Sequence, residues 1–367
     1  MESRVSPIMT APRPRRSATL KQIAEELGIS MMTVSRALSG RGRISPATRK
    51  RVLETATRLR YRPNRLVHAI KHGRSGTVGV MVPISLSFAA EIVRGIHDRL
   101  AESRCLPILH FHGLGPRAER DEAEREYLHR LLDHRVDGII FWPSDETVSQ
   151  VYLHEVWERG VPLVAVDRHL PLTKADFSGT DDVAGGRAAA EYLLALGHRR
   201  LAHIGGEPWV STYADRRRGF EDALAERSAA DGKVTWIAEA CDDCRCLELV
   251  RGILAAGDRP TAISLASDRM APDVYAAAES LGLRVGSDVS VIGFADLVET
   301  AWLRPRLSTI RQDPYAIGQR AAELLLDRID GRTAESRPRS VRVPPRLVER
   351  DSAGPPPEGE IGSMQRP

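Results

Sequence analysis

Thr19-Leu-Lys-Gln-Ile-Ala-Glu-Glu-Leu-Gly-Ile-Ser30 and the run that follows it, Met31-Met-Thr-Val-Ser-Arg-Ala-Leu38, decide how the front of this chain is built. Leu20, Ile23, Ala24 and Leu27 stand at i, i+3, i+4 and i+7, which lays one apolar stripe along a short helix. Gly28 stops that helix. Ser30 is a natural N-cap for a second helix over Met31–Leu38, with Val34 and Leu38 facing inward. A third helix opens at Ser45-Pro46, a capping residue followed by proline at the first helical position. It buries Val52, Ala56 and Leu59 and runs into Tyr61. Two short helices joined at a glycine turn and braced by a third form a helix-turn-helix, whose second helix enters the DNA major groove.

Charge supports the same reading independently. Residues 1–74 hold 17 Lys+Arg against 4 Asp+Glu, a net of +13; since the whole chain carries +4, residues 75–367 carry −9. A basic head on an acidic body is the footprint of a part that neutralises phosphates and releases their counterions. No run of about 18 apolar residues is present, so no membrane span is expected. Residues 1–18 are polar and basic without an apolar core, which opposes a secretory signal and fits a disordered basic arm. The Pro/Gly-rich stretch 351–367 reads as a disordered tail. Four cysteines in 367 residues fit a reducing, cytoplasmic setting better than a disulfide scaffold.

Beyond Gly73 the texture changes. Apolar runs of strand length occur at Thr77–Val82, Pro107–Phe111, Gly138–Trp142, Leu163–Val166, Leu201–Ile204, Val234–Ile237, Ala262–Leu265 and Val289–Phe294. Amphipathic stretches such as Glu91–Glu102, Glu119–Leu132, Arg187–Leu196 and Asp273–Leu281 lie between them. Such alternation means parallel sheets with right-handed crossovers. Eight or more units exceed one compact doubly wound domain, so two Rossmann-like α/β subdomains with a cleft between them are expected. Ligands bind at the carboxyl ends of such strands.

From Thr19 to about Arg350 the chain resembles the LacI/GalR family of bacterial transcription regulators. Besides the head, the resemblance is carried by Tyr61-Arg-Pro-Asn-Arg65, Gly197-His-Arg-Arg200, Arg218-Gly-Phe220, Asp288-Val-Ser-Val-Ile-Gly-Phe294, Pro305-Arg-Leu-Ser-Thr-Ile-Arg-Gln312 and Ile317-Gly318, in order. It implies a helix-turn-helix domain over 19–62, a hinge over 63–75, and an effector-binding, dimerising core of type I periplasmic-binding-protein-like fold over 76–350. Within the core the implied N-subdomain takes about 76–176 and 300–330. The C-subdomain takes about 177–299 and 331–350, with three crossovers between the two.

The resemblance also assigns sites. Bases would be read by Met31, Met32 and Arg36, the arginine bridging O6 and N7 of a guanine; its alternative is a phosphate contact. Met31 and Met32 depart from the polar pairs common in the family. A thioether cannot donate a hydrogen bond, so shape and thymine methyls are what it can read; Met31 packed back onto the head is the alternative. Phosphate contacts fall to Thr19, Leu20, Ser30, Thr33, Ser35, Ser39, Arg43, Ser45, Thr48, Tyr61 and Asn64. Pro63–Lys71 has the pattern of a helix too short to stand alone in water, and the resemblance makes it a hinge that folds on DNA. There Ile70 wedges the minor groove, unless it is an ordinary linker residue.

For the effector, the resemblance points to Ser85, Phe88, Asp167, Arg168, Thr212, Arg216, Asp268 and Asp296. Any of them can instead be a salt-bridge partner at a subdomain edge. Many sugar-responsive members have aspartate where this chain has Ala295, and two arginines at the cleft favour a sugar acid or sugar phosphate over a plain sugar. Cys241, Cys244 and Cys246 sit at a metal-like spacing without an evident fourth ligand, and no metal or cofactor is expected. An enzyme lacks support: there is no dinucleotide fingerprint, nucleophile elbow, zinc-protease motif or P-loop. A binding receptor of the same core fold would have no use for a +13 head, and a regulator with no working effector site is the remaining alternative. The expected protein is a homodimeric repressor that binds a pseudo-palindromic double-stranded operator under small-molecule control and stays off membranes.

Overall fold

The computed structural model describes residues 18–39, 42–61, 74–83, 87–112, 117–143, 149–170, 175–207, 209–231, 235–240, 246–332 and 337–357. Residues 1–17 and 358–367, Asn64, Ile70 with most of the hinge, Ser85, Cys241 and Cys244 lie outside them. The stretch 351–367, expected as a disordered tail, is ordered in its described part, 351–357. There Ser352 is buried, donates to the Val291 carbonyl at 2.6 Å and accepts from the Ser308 N–H at 2.7 Å, and the Gly354 N–H donates to Ser290 Oγ at 3.0 Å. The chain divides into two units, Met1–Ser75 and Gly76–Pro367.

In the first unit each helix starts where its side-chain chemistry dictates. Helix α1 (Leu20–Leu27) opens on a capping box: the Gln22 N–H donates to Thr19 Oγ1 at 3.3 Å and the Thr19 N–H to Gln22 Oε1 at 2.8 Å. It ends at Gly28, whose φ of 64° is a left-handed cap that glycine adopts without a Cβ clash. Ser30 caps α2 (Met31–Ser39) by accepting from the Thr33 N–H at 3.1 Å. Ser45 does the same for Thr48 at the start of α3 (Pro46–Arg58), also at 3.1 Å. The three helices bury one cluster of Ile23, Ala24, Val34, Ala37, Val52 and Ala56, with Leu20, Leu27, Leu38, Leu59 and Tyr61 packed at its edge.

The second unit is two six-stranded sheets. In the first, β1 (Thr77–Pro83), β2 (Leu106–His112), β3 (Gly138–Phe141), β4 (Leu163–Val166), β5 (Asp176–Thr180) and β11 (Ser340–Val343) are ordered β11-β5-β4-β3-β1-β2, all parallel. The second holds β6 (Arg200–Gly205), β7 (Thr235–Ala240), β8 (Ala262–Leu265), β9 (Ser290–Ala295), β10 (Ser308–Arg311) and β12 (Arg346–Val348), ordered β12-β10-β9-β8-β6-β7. Only β12 runs antiparallel there, against β10. Helices α4 (Ser87–Glu102), α5 (Arg117–Asp133), α6 (Ser149–Glu158) and α11 (Pro314–Ile329) belong with the first sheet. The second has α7 (Asp182–Ala195), α8 (Ser211–Asp231), α9 (Leu247–Ala255) and α10 (Ala271–Ser280).

The chain passes between the sheets three times, after β5, after β10 and after β11. The expected subdomain limits differ from this in detail. Strand β5 belongs to the first sheet and not to the segment starting at 177; β10 belongs to the second sheet, although 300–330 was expected in the first. Residues 331–350 split, β11 pairing with β5 and β12 with β10. Hydrogen-bond partners decide this, and strands three residues apart end up in different sheets.

Each subdomain is tied by a helix pair in backbone contact through glycine. A Cβ on Gly186 of α7 would overlap the Arg216 carbonyl of α8, and one on Gly219 of α8 would overlap the Val183 carbonyl of α7. Gly95 of α4 and Gly318 of α11 meet Tyr315 and Ile92 in the same reciprocal way. Backbone cannot yield as a side chain can, so Gly219→Ala is expected to destabilise the core by about 1–3 kcal/mol. Gly252→Ala on α9, where nothing lies within 4 Å of the added carbon, is expected to be neutral or to stabilise by about 0.5–1 kcal/mol. Denaturant midpoints of the two variants test this pair.

Candidate nucleic-acid interface and ligand cleft

The outward side of α2 is where the head meets solvent. Met31 is 55% exposed and Met32 60%, and neither joins the head's apolar cluster. The alternative in which Met31 packs inward is therefore not what the fold adopts. Arg36 is exposed on the same side, its aliphatic stem against the Gly42 turn. Ser39 is exposed and donates back to the Arg36 carbonyl at 3.3 Å, while Ser35 is half-buried.

The capping hydroxyls cluster at helix starts. Ser30 and Thr33 share a hydrogen bond of 2.9 Å, and Ser45 and Thr48 one of 2.8 Å. Thr19, Leu20 and these four place hydroxyls and free N–H groups at helix N-termini, the positive end of the helix dipole and a fit for phosphate. Arg43 is exposed beside them; Tyr61 is half-buried, and burial pushes its phenol up.

In the second unit, the loops at the carboxyl ends of β4, β6, β8 and β9 face one another across the two sheets. Arg216 stands at their centre and is buried. Its Nε donates to Asp182 Oδ1 at 2.7 Å and its Nη1 to the Ala266 carbonyl at 2.7 Å. The guanidinium lies 3.9 Å from the centre of the Phe294 ring and 5.8 Å from that of Tyr213. Burial pushes the Asp182 carboxyl up to about 7 against the pull of Arg216. Asp167, at the end of β4 with a left-handed φ of 66°, is also buried. Burial raises its carboxyl too, outweighing the nearby Arg216, Arg168, His169 and Arg269. Thr212 is buried on the same turn of α8, and Arg168 is half-buried. Phe88 packs edge-on against Trp142 at 5.9 Å.

Two further expected ligand residues, Asp268 and Asp296, hold partners within the protein. Asp268 is fully buried, accepting from the Leu297 N–H at 2.8 Å and from Thr309 Oγ1 at 2.7 Å. Burial pushes it to about 6 while those two bonds pull it back. Asp296 accepts from Arg311 Nε and Arg350 Nη2, both at 2.6 Å. These bonds overcome burial and hold its carboxyl below its usual range. Ala295 and Asp296 have φ of 120° and 60°, consecutive non-glycine residues in the left-handed region. Such strain costs about 1–3 kcal/mol per residue and gathers at functional sites.

The cross-ties between the subdomains pair residues far apart in the sequence and leave no local signal in it. The His169 N–H donates to Ser211 Oγ at 3.1 Å, and its ring Nε2 stands 3.4 Å from Asp215 Oδ2 and 3.1 Å from Arg342 Nη2. On another side Ser87 donates through N–H and hydroxyl to Glu299 at 3.0 and 2.9 Å. Gln312 Nε2 reaches Thr180 Oγ1 at 2.6 Å. Cys246, the described member of the cysteine group, is buried and directs its thiol to the Met270 carbonyl at 3.7 Å.

Comparison with known proteins gives consistent matches. Residues 19–64 match the family described as bacterial regulatory proteins, lacI family, and residues 190–353 match the periplasmic binding protein-like domain. Catabolite control protein A of Priestia megaterium is 32% identical over 341 residues, covering 92% of this chain and 99% of the relative. The HTH-type transcriptional repressor PurR of Salmonella paratyphi B is 32% identical over 340 residues, covering 91% and 96%. Among solved structures, the Lac repressor dimer bound to operator and the anti-inducer ONPF superposes with a TM-score of 0.77 at 26% identity, over 92% of this chain and all of that one. The regulator CelR in complex with cellobiose gives 0.67 at 27%, over 91% and 99%.

One buried group makes the core acid-sensitive. His203 on β6 is 2% exposed, with Nδ1 3.4 Å from Ser264 Oγ and Nε2 without a hydrogen-bond partner among the described residues. Burial, aided by Arg217 and Arg216, pushes it down to about 3. A histidine depressed on folding stabilises the native state above its unfolded pKa, and that contribution is lost as pH falls from there toward 3. Relative to His203→Gln, the wild type should lose on the order of 3 kcal/mol between pH 7 and pH 4. Urea midpoints of both proteins across that range measure it; parallel curves would remove His203 as the cause.

Proposed function

The chain belongs to the lacI family of bacterial regulatory proteins, and we propose that it is a homodimeric transcription repressor whose operator affinity is set by a small molecule held in the cleft of its second unit. The observation that carries this reading is the exposed face of α2 on a basic three-helix head, in a chain that aligns with named repressors over nearly its whole length. The head reads bases with Met31, Met32 and Arg36. It sits on phosphates through Thr19, Leu20, Ser30, Thr33, Ser35, Ser39, Arg43, Ser45, Thr48 and Tyr61. Asn64 and Ile70 keep the roles that the family resemblance implies.

Dimerisation has support in β2, an edge strand that exposes Leu106, Leu109 and Phe111; a second copy would cover them. The effector is a sugar, sugar acid or sugar phosphate. Phe88, Asp167, Arg168, Thr212 and Arg216 contact it, Ser85 keeps the role that the family resemblance implies, and Asp268 and Asp296 act from behind by fixing the loop after β9. Cellobiose in the CelR complex gives this class a precedent among similar proteins. Catalysis has no part in this reading, and the protein works in the cytoplasm, where its operator is. An effector changes DNA affinity only by binding two arrangements of the core unequally, and the cross-ties at His169 and Ser87 are what such a change would rearrange.

The dimer is expected to select an inverted repeat from random duplexes, because two-fold symmetry puts two recognition helices into successive major grooves. Affinity should fall with salt with a log–log slope of several units. Recovery of no repeat, or binding indifferent to salt, would contradict the DNA-binding reading.

Arg36→Ala should cost about 1–3 kcal/mol on the selected operator and relax preference at one base pair per half-site. Anisotropy titrations on the operator and on single-base variants read both effects. Equal weakening on every sequence would reassign Arg36 to phosphate.

A further inference from the structure

Successive residues of a helix turn by about 100°, so Met31, Met32, Ser35, Arg36 and Ser39 share one continuous outward arc of α2. Val34 and Ala37 face the core, both buried. That arc contains one cation, two hydroxyls and two thioethers. It has no carboxylate to accept from cytosine N4 and no amide to bridge adenine N6 and N7. The Ser39 hydroxyl is turned back to its own helix. In the first turn, where a recognition helix approaches base edges, the exposed side chains are Met31 and Met32 alone. A thioether has no donor and only a weak acceptor, so these two can discriminate among bases only through apolar contact. In the major groove the one apolar feature that differs between bases is the C5-methyl of thymine. 5-Methylcytosine carries the same group at the same place.

We propose that Met31 and Met32 make this head a reader of C5-methyl groups, accepting thymine or 5-methylcytosine at their step and disfavouring the same pyrimidines without the methyl. The unbranched, polarisable side chains suit the task, since they can follow the methyl through small differences of groove geometry. The inference rests on the DNA-binding reading and goes beyond it: operator affinity becomes sensitive to cytosine methylation at defined positions, without a hydrogen bond to the modified base.

The test uses the full-length protein and an operator recovered by selection. Each thymine is replaced singly by uracil, which removes the methyl and nothing else. At the sensitive positions, cytosine and 5-methylcytosine duplexes are compared. Burial of one methyl-sized group predicts a loss of about fourfold in affinity on uracil substitution, and a similar gain from cytosine to 5-methylcytosine. The double variant Met31→Ala, Met32→Ala should abolish both effects while keeping the guanine preference that depends on Arg36. Its melting temperature should be unchanged, because both side chains are exposed. Met32→Leu, still apolar, should retain the methyl effect. A wild type that binds its operator with no uracil-sensitive thymine, or methyl effects that persist in the double alanine variant, would overturn the proposal and leave the regulator reading intact. Failure to recover any operator would instead overturn both.

Discussion

The buried Arg216 guanidinium is the fixed point of the ligand-binding unit. It ties α8 to α7 through Asp182 and to the end of β8 through the Ala266 carbonyl, and its face lies on Phe294 of β9. The start of α7, the end of β8 and the Phe294 ring of β9 are therefore placed relative to one cation. Breaking a buried pair by removing one partner typically costs about 3–5 kcal/mol, because the other charge stays behind unpaired. Arg216 thus has two duties. It holds the floor of the cleft together, and it keeps an arginine beside Asp167 where the two sheets face each other.

This double duty gives regulation a physical form. The first subdomain supplies Asp167-Arg168-His169, and the second supplies Ser211, Asp215 and Arg216 on one helical stretch. Tie residues and proposed ligand contacts alternate along both segments: Arg168 next to His169, Asp215 next to Arg216. A molecule engaging these arginines would act on residues adjacent in the chain to both partners of the His169–Asp215 contact. Packed cores are bistable and do not deform continuously, so such an action would favour one of two arrangements of the subdomains.

How much of this the sequence reveals depends on whether local chemistry or distant partners decide. The head is legible because its stops and starts are local: Gly28 needs a left-handed φ, and Thr19, Ser30 and Ser45 bond to N–H groups three residues on. Six of the eight apolar runs, in β1, β3, β4, β6, β8 and β9, stand out as strands because both faces of a covered parallel sheet are buried. The runs in the edge strands β2 and β7 stand out as apolar although they expose Leu109, Phe111 and Ile237. Strand β5 escapes, since Asp176-Phe-Ser-Gly-Thr180 is polar in composition yet wholly buried. Its Asp176 is satisfied by Arg328 and Arg339, more than a hundred and fifty residues away. Helix α8 escapes for a related reason, because it packs through backbone at Gly219 and not through a broad apolar stripe. In the cleft, residue type and position mark Asp167, Asp268 and Asp296 alike. Only coordinates separate the carboxylate beside Arg216 from two that already hold the loop after β9. The partner of Arg216, Asp182, reads in sequence as an ordinary acidic residue at a helix start.

The central claim is that cleft occupancy and operator affinity are coupled. The direct measurement is operator affinity by anisotropy, with and without each member of a panel of sugars, sugar acids and sugar phosphates first ranked by their effect on melting temperature. The account predicts that a compound that raises the melting temperature also shifts operator affinity by about 5–150-fold, the usual size of an allosteric coupling, and that Arg168→Ala weakens both responses together. Compounds that stabilise the protein through the cleft yet leave operator affinity unchanged would contradict it.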